Sequence, residues 1–172
     1  MTAAGAPLAV VAAIACATPA AAFEQSFAAP AFVVSVPRLP DVAVGAFAAA
    51  PGSGQRVARG SAGGLAVEVS AREAGEASST RGCAGASLRE IVARPGMPSR
   101  DNIYRAPFDA STFLVLYLLE VQGVRQLHAH LLAAVQGTHC VDAHFQRAWR
   151  AGEDLEDWRA AFAGAAVRSG PR

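Results

Sequence analysis

All four histidines of this 172-residue chain fall in one window: His128, His130, His139 and His144. Cys140 and Asp142 share it. Imidazole, thiolate and carboxylate are ligand types for Zn²⁺ and similar ions, so a metal site is the first chemistry the window suggests. The spacing argues against a ready-made one. On a helix, positions two apart point roughly 200° from each other. His128 then falls inside the apolar arc of Val124, Leu127 and Leu131, and His130 outside it. The two rings share a metal only if the segment is a strand. Cys140 and His144 are four apart, share a helix face and form the best local fragment of a site. A disulfide at Cys140 would take that sulfur out of the ligand set.

Other chemistries find less support. Ser, His and Asp are present, but no G-x-S-x-G elbow frames a nucleophile. The acidic run Glu153, Asp154, Glu156 and Asp157 lacks the spacing of a Ca²⁺ loop and suits the first turn of a helix. The glycines at 60, 63 and 64 have no G-K-[ST] ending, which excludes a phosphate loop of that kind. Net charge is +1, and all 15 basic residues are scattered arginines, so nucleic acid is not an expected partner.

The cysteines depend on the N-terminus. Residues 1–22 carry no charged side chain, run apolar from Leu8 to Cys16, and end in Pro19 and Ala20-Ala21-Ala22. This reads as a signal peptide cleaved after Ala22. Its removal leaves one exported domain, residues 23–172, of about 150 residues and no integral membrane segment. Cys16 is lost with it. Cys83 and Cys140 remain as an even pair, expected to form a disulfide in an oxidising compartment.

The elements that position these residues are read from period and punctuation. Phe32–Val36, Val42–Phe47 and Leu65–Val69 read as strands, with a short one near Arg56–Ala58. Residues 23–31 read as an extended leader. Ser87 and Glu90 fit a capping box for a short helix ending before Pro95. Asp109 is expected to cap a buried helix through Gln122, with a buried strand as the runner-up; leucine content and length favour the helix. Val124, Leu127, Leu131, Leu132 and Val135 suggest a second helix; Val141, Phe145 and Trp149 a third, capped by Thr138. Asp154 caps a fourth carrying Trp158 and Phe162, and Gly123, Gly137 and Gly152 separate the segments.

The expected fold is therefore α+β: a small antiparallel sheet from residues 32–70, then a mostly helical half over 87–165. The expected function is that of a periplasmic or secreted, non-enzymatic interaction protein, held by Cys83–Cys140 and serving a protein partner in the cell envelope. No catalytic or cofactor residue is assigned. The alternative is a metal-binding protein or metal-dependent enzyme, with zinc held among His128, His130, His139, Cys140 and His144.

Overall fold

The structure, a computed structural model, describes residues 22–50, 54–107 and 111–170. The expected signal segment, Ala22 apart, and the expected Asp109 cap lie outside these residues. Ten strands and two α-helices follow in chain order: β1 (Phe23–Ala28), β2 (Ala31–Val36), β3 (Ala48–Ala49), β4 (Arg56–Ala62), β5 (Leu65–Glu73), α1 (Thr80–Val92), β6 (Tyr104–Pro107), β7 (Phe113–Val121), β8 (Val124–Val135), β9 (His139–Ala148), α2 (Leu155–Ala161) and β10 (Ala166–Ser169). They form a three-stranded sheet, β1-β2-β10, and a seven-stranded sheet, β3-β4-β5-β9-β8-β7-β6. The described strand pairs are antiparallel.

This overturns the expected helical second half. Residues 113–148 form three long, successive strands, and among the described residues after 113 the one helix is the short α2. The reason lies in the spacing. Leu127, Leu131 and Val135 are four apart, which places them together on a helix and equally together on a strand, since four is an even number. Val141, Phe145 and Trp149 carry the same ambiguity. Ala129, Ala133 and Ala143 decide it, because they fill the gaps on the same buried face.

The leucine-rich run of β7 is apolar on both sides because both sides are covered. Leu114 and Leu116 enter the main core between the two sheets, with Phe23, Phe32, Val34, Val67, Leu131 and Phe145. Val115 and Tyr117 point the other way and pack beneath α1 with Ala84, Ile91 and Leu132. Gly123 and Gly137 are hairpin glycines. Gln122 and Gly123 have φ of 52° and 77°, as a two-residue turn between Val121 and Val124 requires.

The first half is partly as expected. Leu65–Val69 lies within β5, Arg56–Ala58 within β4, and Phe32–Val36 within β2. Residues 32–70 nevertheless do not make one sheet, since β2 belongs to the three-stranded sheet. The 23–31 leader supplies β1, whose Phe23 and Phe27 are buried. Residues 42–47 form no strand and run over β4, with the Gly45 N–H donating to the Arg59 carbonyl at 3.0 Å. A Cβ at Gly60 would stand 2.2 Å from the Ala43 carbonyl oxygen and 3.1 Å from the Val44 Cα, both of them backbone atoms. Gly60→Ala is therefore expected to cost about 1–3 kcal/mol, read as a lower urea midpoint at unchanged slope.

α1 begins earlier than the capping box suggested. Ser79 is its N-cap and accepts from the Gly82 N–H at 3.1 Å, while Ser87 is buried inside the helix. Asp154 does cap α2, accepting from the Glu156 N–H at 3.0 Å. The acidic run around it is used structurally: Glu153 pairs with Arg147 and Glu156 with Arg159. Among the described residues, no helix is long and apolar enough to cross a membrane.

Candidate functional site

In a strand, residues two apart share a face. His128 and His130 on β8 therefore point the same way, toward the side of the sheet that carries α1. Asp142, His144 and Gln146 on β9 join them there, and Tyr117 does so from β7. In the register, Tyr117 is opposite His128, and His130 is opposite His144.

Two kinds of contact tie these side chains together. Directly opposed rings stack: Tyr117 on His128 with centroids 5.0 Å apart, and His130 on His144 at 4.2 Å. Diagonal neighbours hydrogen-bond. Gln146 Nε2 donates to Gln126 Oε1 at 2.7 Å, and His128 Nδ1 lies 3.0 Å from His144 Nε2. His130 Nδ1 lies 3.0 Å from both Asp142 carboxylate oxygens. One further diagonal reaches β7, where the Tyr117 hydroxyl lies 3.1 Å from His130 Nε2. All four bonds lean in the same sense across the sheet, giving a regular polar ladder with a continuous line Tyr117–His130–Asp142.

Donor and acceptor roles follow from chemistry. A carboxylate only accepts, so His130 Nδ1–H donates to Asp142, which leaves Nε2 as the ring nitrogen that meets the Tyr117 hydroxyl. His128 Nε2 is buried without a partner among the described residues. A bare lone pair there costs less than an unmet N–H, so Nδ1–H is the donor to His144 Nε2.

Burial sets the protonation states. It pushes the Tyr117 phenol up to about 12, with the nearby Arg94 charge acting weakly the other way and Asp142 adding to the rise. It lowers His128 to about 4, helped by the charges of His130 and Arg94. His144 is held well below the ordinary imidazole range, first by burial and then by His130, His128 and Arg94. Both rings are neutral near pH 7. Removing the phenol hydroxyl would strand His130 Nε2 in a buried site. Tyr117→Phe is expected to cost about 1–2 kcal/mol by denaturant unfolding, with the stack on His128 retained.

The five expected ligands are thus divided. His128, His130 and His144 come together. His139 sits at the start of β9, apart from the ladder, with Nδ1 3.0 Å from Thr138 Oγ1. Cys140 lies on the ladder's face but is joined to Cys83 of α1 by a disulfide. Among the described residues, no group of three His, Cys, Asp or Glu side chains is placed to hold a metal ion. Tyr117 and Asp142 are members that the sequence reading did not assign. Their signal was the alternation of polar residues at 128/130 and 142/144/146 inside apolar runs, which marks a strand face.

Asp142 and His144 also border a polar cavity of about 90 Å³ between α1 and the sheet, closed by Ser87, Glu90, Arg94 and Arg72. His144 and Glu68 continue it into an open groove of about 500 Å³ lined by Arg59 and Gln146. The carboxylates along this path are matched: Glu68 with Arg59 at 2.6 Å, Glu90 with Arg72 at 2.7 Å, and Asp142 with His130.

No family model matches the chain, and no curated protein matches it. A solved structure from Bacteroides thetaiotaomicron VPI-5482 is similar over 90% of this chain, at 14% sequence identity and a TM-score of 0.49. The matched region spans 50% of that structure's chain.

Proposed function

We propose that this chain is an exported, non-enzymatic binding protein of the periplasm or the extracellular medium, working through a protein partner of the cell envelope. The observation that carries the reading is the disulfide between Cys83 of α1 and Cys140 of β9. Such bonds persist where the compartment is oxidising, and the apolar N-terminal segment suits the same destination. The ladder supports a non-catalytic role. The base that Asp142 orients, His130, faces a hydroxyl that is itself only 2% exposed and held protonated by burial. A nucleophile needs both access and a lowered proton affinity.

Intact mass spectrometry of the exported protein, under native and under denaturing non-reducing conditions, tests this. The expected result is a chain beginning at Phe23, two hydrogens lighter than the reduced form, with no bound metal. An N-terminus at Met1 or free thiols would overturn the export reading. A stoichiometric metal would overturn the hydrogen-bonded assignment of the ring nitrogens and favour the zinc alternative. Stoichiometric labelling by an active-site-directed hydrolase probe would overturn the non-enzymatic role.

A further inference from the structure

We propose that the His128–His144 pair makes α1 a proton-sensitive lid: when the pair takes up protons, the second half of the helix lifts from the sheet while its first turn stays tethered. The tether is double. Cys83 is bonded to Cys140, and the Thr80 hydroxyl donates to the Ser111 carbonyl while accepting from the Ala134 N–H, both at 3.2 Å. The second half is held differently. Leu88, Ile91 and Val92 pack on Val115, Tyr117 and Leu132, and Glu90 reaches Arg72.

His144 lines the cavity under this half with Ser87, Glu90 and Arg94, and His128 is coupled to it through its stack on Tyr117, which packs against Ile91. The charged groups facing it leave no counter-charge for an added proton. Arg59 and Arg72 on the neighbouring strands are taken by Glu68 and Glu90, and Asp142 is taken by His130. Arg94, just past the end of α1, lines the same cavity and has no ion-pair partner among the described residues. The Nδ1···Nε2 bond also needs one bare ring nitrogen, so it cannot survive protonation of both rings. Opening relieves these conflicts together, because solvated imidazoles regain their ordinary proton affinity. Acidification thus favours the open lid.

Amide hydrogen exchange of the oxidised protein, corrected for intrinsic rates, tests the idea at pH 7, 6 and 5. Two linked protons raise the opening constant by up to about 100-fold per pH unit below about 6.5. The amides of residues 88–92 are expected to follow that slope, while core amides of β5 and β8 stay protected. In His144→Gln, which keeps a polar side chain, the slope should fall toward about 10-fold per unit. Should that variant fold poorly, the wild-type slope and that of His128→Phe decide. Opening that is independent of pH, a slope unchanged in both variants, or α1 and core amides exchanging in step would each overturn the proposal. The lid requires no particular compartment, so its failure would leave the export reading standing, and the reverse.

Discussion

A Cys83→Ala/Cys140→Ala chain should melt about 10 °C below the oxidised protein. The bond spans 57 residues of sequence, and in the chain-entropy account closing such a loop stabilises a fold by about 4 kcal/mol. For a domain of about 150 residues, each kcal/mol moves the midpoint by roughly 2–4 °C. Little packing is lost to offset this. The two sulfurs sit among Ala74, Ala77 and Ala134, so alanine leaves only small voids. Either single replacement should cost nearly as much as both, because either one removes the same bond. Calorimetry of the wild type with and without reductant, beside the three variants, checks it. Oxidised and reduced samples melting within about 2 °C of each other would show that the bond does not brace α1. The loss should also be uneven. The core between the two sheets does not include the cysteines, whereas α1 is joined to β9 through them. Exchange protection in α1 should therefore fall before protection in β5 or β8.

How much of this was legible differs by residue. The cysteine pair was readable once an exported chain was assumed, since parity left one partner for each. Asp154 as a cap was readable because an N-cap acts locally and needs no tertiary context. The long strands were not. Spacing by four is shared by both periods, and the residues that break the tie on β8 are alanines, which pattern weakly and favour helices intrinsically. Leucine content tilted the reading further. β7 is apolar on both faces because β1, β2 and β10 cover one side and α1 the other, a fact of tertiary assembly that no local window contains. The misread period then hid the site. On a helix, His128 and His130 diverge. On a strand they align, and the register adds His144, Asp142 and Tyr117 from neighbouring strands. The ligand types were visible, but which of them meet depended on a pairing between β8 and β9 that no single window encodes.

Global stability should fall steadily as the pH drops from about 6.5 to about 4, and His128→Phe should flatten part of that fall. In the folded state His128 stays neutral down to about 4, while an exposed imidazole titrates near 6.5. Between those values the unfolded chain binds more protons, so each step toward acid favours unfolding. The contribution is fully present above about 6.5 and is lost by the time the pH passes through about 4. For His128 it amounts to roughly 2–3 kcal/mol, and His144, lowered in the same direction, adds to it. Phenylalanine at 128 keeps a ring against Tyr117 and removes both the titration and the buried Nε2. It also leaves His144 Nε2 without its donor, at a cost of about 1–2 kcal/mol near pH 7.5. The variant should therefore be the weaker protein at neutral pH and draw level near pH 5. Below that it should be the more stable of the two. Urea unfolding from pH 7.5 to 4.5 measures both curves. If they run parallel, the burial of His128 is not what sets its protonation, and the ladder must be tolerant of charge. A crossing near pH 5 would locate the acid sensitivity in the ring pair beneath α1 rather than in the surface carboxylates.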